Sequence, residues 1–157
     1  MSSRHLRRAL PRDAPDISAL IRSLSAAFTI DPSGLGAEAF LKSIEPAAIA
    51  SYLVAPNFAY FVAEVEGRIV GVVAIRDRTH LYHLFVAADQ QRRGLASELW
   101  RHARAALDAP SDRLFTVNAT PIAVPVYERF GFVVAGPRVE KDSIAFIPMI
   151  LPATPTR

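Results

Sequence analysis

The chain has 157 residues, no cysteine and a formal net charge of +3 at pH 7. Because cysteine is absent, disulfides, thiolate metal sites and an acyl-cysteine intermediate are excluded. Its 51% of hydrophobic and 21% of charged residues exclude a disordered chain, and no apolar stretch is long enough to span a bilayer. We therefore expect a single domain over residues 1–151 with a short tail over residues 152–157, located in the cytoplasm.

The first half of the chain predicts one strand, two helical regions and three strands. Asp13 is an N-cap candidate for the first helix, and apolar residues recur at helical spacing from Ile17 to Phe28. Glu66 and Gly67 mark a hairpin turn between two strand-like runs. In chain order, the predicted elements are a strand over residues 6–10, the helix after Asp13, helical stretches over residues 37–44 and 47–53 interrupted at Pro46, strands over residues 58–65 and 68–75, and a strand that ends at Val86.

The second half of the chain alternates helices and strands. A helix begins near Leu95 and ends at residues 108–112, and a short helix over residues 124–130 has Pro125 near its start and Gly131 just past its end. The remaining elements are strands over residues 114–117, 133–139 and 144–150. The full order, β-α-α-β-β-β-α-β-α-β-β, predicts an α/β protein with a mixed central sheet flanked by helices.

Residues 91–96, with the sequence QRRGLA, lie between the strand that ends at Val86 and the following helix. The first N–H groups of a helix have no partner within it and lie at the positive end of its dipole, so they favour phosphate. Gly94 lets a ligand approach this backbone, and Arg92 and Arg93 add positive charge. The pattern predicts a phosphate-binding loop; a plain strand-to-helix turn is the alternative.

A second set of residues follows this helix. Asn118 lies at the end of a strand, and Tyr127 lies on the short helix that ends before Gly131. The strands that end at Val86 and Asn118 are joined by a helix and should be parallel, so their carboxyl ends should border the same ligand-binding crevice. Structural roles are the alternative: Asn118 caps a turn, and Tyr127 is a half-buried aromatic residue.

Both stretches resemble the GNAT N-acetyltransferases, and the order of elements is similar to the GNAT fold over nearly the whole chain. The resemblance implies a sheet of about seven strands flanked by about four helices. It also implies that acetyl-CoA is the co-substrate, that no metal takes part, and that the acetyl group passes to a primary amine by direct attack in a ternary complex.

The resemblance further assigns roles to individual residues. It implies that the two parallel strands diverge at their carboxyl ends and that the pantetheine arm lies between them. Tyr127 would protonate the departing thiolate, and a backbone N–H near Phe85 or Val86 would stabilise the developing oxyanion. The implied cofactor-binding residues are Leu84, Phe85, Val86, Gln91, Arg92, Arg93, Gly94, Leu95, Ala96, Ser97, Asn118 and Tyr127.

The catalytic base is assigned by its position. Several family members carry a Glu or His on the strand before the loop, and the matching position here is His80. An imidazole has an ordinary pKa of about 6.5, which suits proton transfer near neutral pH. Strict alternation would place His83 on the opposite face from His80, and a β-bulge would change this. There are two alternatives. His80 caps a turn, or Glu64 or Glu66 acts as the base through a water molecule.

The sequence does not identify the acceptor amine. Phe28, Phe40 and Tyr52 are candidate walls of its pocket, or plain core residues. A non-catalytic acyl-CoA-binding domain with a sensing or regulatory role is the alternative function. The excess of arginine would suit a nucleic-acid partner, but no long basic run supports one. The resemblance allows a homodimer.

Overall fold

The computed structural model describes residues 3–107 and 114–152. Within them the chain forms five α-helices and eight strands, which confirms the predicted mixed α/β class. The strands are β1 (His5–Arg8), β2 (Phe58–Val65), β3 (Arg68–Arg76), β4 (His80–Val86), β5 (Phe115–Ala119), β6 (Val133–Val134), β7 (Val139–Lys141) and β8 (Ile144–Leu151). The helices are α1 (Ala14–Leu24), α2 (Glu38–Ser43), α3 (Pro46–Val54), α4 (Leu95–Leu107) and α5 (Val124–Arg129).

The strands form one mixed sheet in the order β1-β2-β3-β4-β5-β8-β6, and β7 also pairs with β8. Strands β4 and β5 are parallel, whereas the other pairs of named strands are antiparallel. The parallel ladder is short, because it contains only the pairs His80↔Thr116 and Leu81↔Val117. Beyond these pairs the two strands share no ladder. We call the gap between residues 82–86 of β4 and 118–119 of β5 the wedge.

Helix α4 covers one face of the sheet, which we call the α4 face. A Cβ atom on Gly71 of β3 would lie 2.8 Å from Leu99 Cδ1, so the missing side chain allows α4 to pack closely. The ring of Trp100 on α4 packs against three phenylalanine rings, those of Phe115, Phe130 and Phe132. Helices α1 and α3 cover the opposite face, which we call the α1 face.

Asp13 precedes α1, but its carboxylate does not cap that helix. It accepts hydrogen bonds from the Leu10 N–H at 2.7 Å and from Arg7 Nη1 at 2.8 Å. The Arg7 guanidinium holds the pKa of Asp13 below its usual range. Asp13 therefore occupies the predicted N-cap position of α1, but its carboxylate is bound by a cation from β1 and by the turn before the helix instead of capping it.

Several element boundaries also differ from the predictions. Helix α1 ends at Leu24, so Phe28 lies in the segment after it, and Pro46 begins α3, where its missing N–H costs no hydrogen bond. The strand predicted over residues 133–139 is two short strands. The predicted end of α4 at residues 108–112 and the tail residues 153–157 lie outside the described residues. No helix in the described part is long and apolar enough to cross a membrane.

Candidate functional site

The backbone N–H groups of residues 91–97 have no hydrogen-bond partner within the described part of the chain. The first amide of this region that is satisfied belongs to Glu98, which donates to the Gly94 carbonyl at 3.1 Å. Unpaired amides at a helix N-terminus attract anions because the helix dipole places positive charge there. The loop predicted to bind phosphate therefore has a row of donors available.

The shape of this loop depends on two residues with left-handed backbone angles. Arg92 has a φ of +64° and Gly94 a φ of +80°. A Cβ atom at Gly94 would meet no heavy atom within 4 Å, so the space beside this backbone is open. The Gln91 side chain holds the start of the loop, because its Nε2 donates to the Val86 carbonyl at 3.0 Å. The side chains of Arg92 and Arg93 are exposed.

Arg4 of the N-terminal segment holds the loop from the other side. Its Nη2 donates to the Arg93 carbonyl at 3.1 Å and forms an ion pair with Glu98 Oε1 at 2.7 Å. Arg4 is 89 residues from Arg93 in the sequence, so no local motif indicates this contact. The sequence pattern therefore does not identify Arg4.

The β4 edge of the wedge carries backbone groups that point away from β3. The Ala87 N–H donates to the Val70 carbonyl at 2.8 Å, and alternate residues of an antiparallel ladder point their polar groups to opposite sides. Phe85 therefore bonds β3, as Ala87 does, whereas Leu84 and Val86 present their N–H and C=O groups to the wedge. Of the two amides considered for the oxyanion, that of Val86 is the one on the wedge side.

Asn118 lies on the β5 edge of the wedge. It is exposed, and its neighbours Val117 and Ala119 are buried, so its side chain lies on the sheet face opposite theirs. Phe115 and Val117 belong to the face on which Trp100 packs. Asn118 is therefore on the α1 face.

Tyr127 lies on α5 and packs its ring against Phe130 and Phe132, on the α4 face. The residue is only 6% exposed. Among the described residues, Arg4 Nη1 is the one side-chain N or O atom that is fully buried without a partner. The Tyr127 hydroxyl has no partner there either, so it reaches accessible space. Burial raises the pKa of this phenol above its usual value, so it stays protonated.

A β-bulge changes the faces of the histidines on β4. Ala74 is paired with His83 and Ile75 with Leu81, which leaves Tyr82 as the extra residue. The rings of Tyr82 and His83 stack with centroids 4.2 Å apart. The expectation that His83 faces away from His80 is therefore wrong, because the bulge brings His83 to the α1 face as well.

His80 lies at the closed end of the wedge and is half-buried. Its Nδ1 and Thr116 Oγ1 are 2.8 Å apart and hydrogen-bonded across the parallel ladder. Its Nε2 has no partner among the described residues. Burial, and to a lesser degree the charge of Arg76, hold the pKa of His80 below its usual value, so the ring is neutral at pH 7 and can accept a proton.

His83 is buried and hydrogen-bonded to Tyr60, with 3.0 Å between His83 Nδ1 and the phenol oxygen. Burial lowers the pKa of His83 to about 3 and raises that of Tyr60 above its usual value. The protonated phenol has no other partner in the described chain, so we assign it as donor to Nδ1. The proton of the neutral imidazole is then on Nε2, which makes His83 a hydrogen-bond donor and a poor base.

Neither glutamate considered as a base lies at the wedge. Glu64 is paired with Arg7 of β1, and Glu66 lies in the turn between β2 and β3. Strands β3 and β4 separate both residues from the wedge. In residues 3–107 and 114–152, no three His, Asp or Glu side chains form a candidate metal site.

A cavity of about 250 Å³ lies at the carboxyl end of β5. Its wall includes Phe28, which contacts Phe85 of β4 with ring centroids 5.6 Å apart. The lining residues are Ala27, Phe28, Thr29, Ile30, Pro121, Ile122, Arg138 and Ala145. Of the other predicted pocket walls, Phe40 packs on Phe28, and Tyr52 packs on Phe58 and Tyr82. A wider depression of about 460 Å³ lies beside α1, and neither its lining nor that of the cavity includes a wedge residue.

Known proteins are similar to this chain in sequence. Residues 28–152 match the model of a protein family described as an acetyltransferase (GNAT) domain. The probable N-acetyltransferase camello of Xenopus laevis is 27% identical over 113 residues, a match that covers 64% of this chain and 47% of the relative. The chain thus spans about half the length of that curated relative.

Solved structures share the fold. A GCN5-related N-acetyltransferase from Rhodopseudomonas palustris has a TM-score of 0.73 at 22% identity, with 96% of each chain covered. The PaiA N-acetyltransferase of Thermoplasma acidophilum, solved in complex with coenzyme A, has a TM-score of 0.73 at 13% identity, with 94% of this chain and 98% of that chain covered.

The buried pair of Tyr60 and His83 predicts that acid destabilises the protein. An unfolded histidine has a pKa of about 6.5 and binds a proton before folded His83, whose pKa is about 3. The free energy of unfolding therefore falls as the pH drops below about 6.5, by about 2 kcal/mol at pH 5. Replacing both partners, Tyr60→Phe with His83→Phe, should flatten the fall in thermal midpoint between pH 7 and pH 5.

His102 on α4 provides the matched control, because His102→Gln leaves the buried pair intact and should keep the wild-type slope. His80 contributes a residual slope of the same sign in every variant. A double variant as sensitive to acid as the wild type would contradict the assignment of His83.

Proposed function

The chain belongs to the GNAT acetyltransferase family, and on that basis we propose that it transfers the acetyl group of acetyl-CoA to a primary amine. The observation that carries the proposal is the row of unpaired amides over residues 91–97, open to solvent beside Gly94. A diphosphate would accept these N–H groups, and the exposed side chains of Arg92 and Arg93 add positive charge. Beside this phosphate site, the wedge offers a place for the extended pantetheine arm of coenzyme A.

The wedge suits the pantetheine arm because its edges carry unpaired polar groups. Leu84 and Val86 would bond the arm through their backbone, as an added strand would, and the Asn118 amide would bond it from β5. A bound arm would also satisfy backbone groups that the short parallel ladder leaves open. These features favour the wedge as the binding place of the pantetheine arm.

In the proposed reaction, the amine nitrogen attacks the acetyl carbonyl carbon, and the carbon–sulfur bond breaks. A backbone N–H on the wedge side of β4 would stabilise the oxygen that becomes negative. His80 Nε2 would take the proton from the amine, and the Tyr127 hydroxyl would give a proton to the departing thiolate. Because the chain has no cysteine to carry the acetyl group, direct transfer with both substrates bound together is favoured over a route through an acyl-cysteine intermediate.

The two proton-transfer groups lie on opposite faces of the sheet. Tyr127 is on the α4 face, where the loop of residues 91–97 also lies, whereas His80 is on the α1 face. A thioester in the wedge would therefore have the acid on its sulfur side and the base on its amine side. This arrangement predicts that the acceptor approaches from the α1 face.

Gly94→Glu should abolish binding of coenzyme A and leave the fold intact. The glutamate would place a side chain and a negative charge in the open space where the diphosphate would bind, and we expect at least a hundredfold loss of affinity by calorimetry, on the order of 3 kcal/mol. Gly67→Glu is the matched control, since Gly67 also has positive φ and open space but lies in the β2–β3 turn. Unchanged affinity in the Gly94 variant would refute the phosphate-loop assignment.

Tyr127→Phe should lower turnover and leave the affinity for coenzyme A unchanged. Loss of a general acid typically costs on the order of a hundredfold in kcat. Steady-state rates, with a single-turnover experiment to show that chemistry limits the rate, provide the measurement. Tyr52→Phe serves as control, because the Tyr52 hydroxyl bonds the Ser43 carbonyl away from α5. If the Tyr127 variant turns over at the wild-type rate, Tyr127 is not the acid.

His80→Gln should lower kcat/KM by on the order of a hundredfold at pH 7.5. Because the pKa of His80 lies below 6.5, wild-type kcat/KM for the unprotonated amine should rise with pH only in the acidic range and then level off. The variant should lose this rise, whereas His5→Gln, at an exposed position on β1, should retain it. An identical profile in the His80 variant would assign proton removal to water or another group.

Absence of cysteine makes the activity assay direct, because a thiol reagent reports released coenzyme A without background from the protein. Small amines, amino acids, aminoglycosides and peptide N-termini form the test panel. Turnover with any of them supports the proposal. Tight binding of acetyl-CoA with no turnover over the whole panel would favour a non-catalytic acyl-CoA sensor.

A further inference from the structure

The cavity of about 250 Å³ differs from its surroundings in charge. Arg138 is the single charged residue in its lining, and the described part of the chain adds no carboxylate to that lining. We propose that the acceptor is a small amine that carries a carboxylate next to an apolar side chain, and that Arg138 binds this carboxylate. The inference rests on the proposed acetyl transfer and names the class of acceptor for it.

The position of the cavity connects it to the wedge. Phe28 forms part of its wall and packs against Phe85 of β4, within the diverging part of the strand. Pro121 and Ile122 form another part and follow directly after β5. An acceptor bound here would lie beside the carboxyl ends of both strands, with its amine directed toward the wedge and its remainder in the cavity.

The walls favour an apolar group of limited size. Aliphatic and aromatic residues make up most of the lining, so a hydrocarbon side chain would lose its contact with water on binding. Typical small-molecule sites occupy roughly 300–1,000 Å³, and this cavity lies just below that range. Its size therefore favours an acceptor of amino-acid size over an oligosaccharide. A polycationic acceptor would place several charges against apolar walls with no acid to receive them.

Arg138 is able to exchange its present partner for a ligand. Its Nη2 lies 3.2 Å from Glu140 Oε1, and the two side chains are 52% and 60% exposed. An ion pair this exposed stabilises a protein only slightly, so replacing Glu140 by an incoming carboxylate costs little. A guanidinium also matches a carboxylate with two parallel hydrogen bonds. Arg138 would thus select an acceptor whose acid group lies at the mouth of the cavity.

Sets of acceptors that differ in one group provide the test. Leucine, leucinamide and 3-methylbutylamine share the apolar chain and the amine, and phenylalanine offers the same series with a larger side chain. With acetyl-CoA saturating, kcat/KM is compared per unprotonated amine, because the amide and acid forms differ in amine pKa. We expect the amino acids to exceed their amides by at least about tenfold, the minimum for a charge-assisted hydrogen bond.

The same comparison with Arg138→Gln isolates the carboxylate contact. This variant should lower kcat/KM for the amino acids by about tenfold and leave the amides unchanged, whereas the control Glu140→Gln should keep or increase the preference for the acid. The acceptor assignment would be overturned by equal kcat/KM for acids, amides and simple amines. It would also be overturned if the Arg138 variant lost kcat/KM equally on all three, and either result would leave the proposed acetyl transfer standing. No release of coenzyme A with any amine would overturn both proposals.

Discussion

Hydrogen bonding between β4 and β5 ends after two residue pairs, and the proposed site depends on the gap that this early separation leaves in the sheet. Beyond it, β4 keeps its ladder to β3 on one side and presents the polar groups of Leu84 and Val86 on the other. Unpaired backbone groups inside a fold are costly unless water or a ligand bonds to them. An extended polar ligand in the wedge would therefore stabilise the protein by bonding to these groups.

The two faces of the sheet that border the wedge carry different groups. The α4 face holds the only tryptophan of the chain, the Tyr127 hydroxyl and the N-terminus of the helix with the open amides. The α1 face holds His80 and His83, the aromatic cluster around Tyr82 and the cavity beside Phe28. In the proposed function, the bound diphosphate and the acceptor would therefore lie on opposite faces of the sheet, and the reacting atoms would meet where β4 and β5 diverge.

Features that depend on neighbouring residues could be predicted from the sequence, and features that depend on distant ones could not. The order of elements follows from local periodicity, and residues 91–96 form an open turn because Gly94 and the helix start are adjacent. The expected alternation of side chains between the two faces of β4 does not hold at Tyr82, because an apolar run gives no sign of a β-bulge. Asp13 resembled a cap, but its carboxylate binds Arg7, a contact set by tertiary packing. Arg138 became a candidate only when the cavity brought β7, β8 and residues 27–30 together.

The contact between Arg4 and the Arg93 carbonyl has a consequence for the loop as a unit. Suppose that the same six residues joined a strand to a helix in an unrelated protein. The turn would keep its glycine but would lose the Arg4 guanidinium that restrains its middle. The N–H groups of the turn would then point in many directions, and aligning them on one anion would cost conformational entropy. The shape of this loop thus depends on the tertiary structure as well as on its own six residues, since a residue just before β1 restrains the turn.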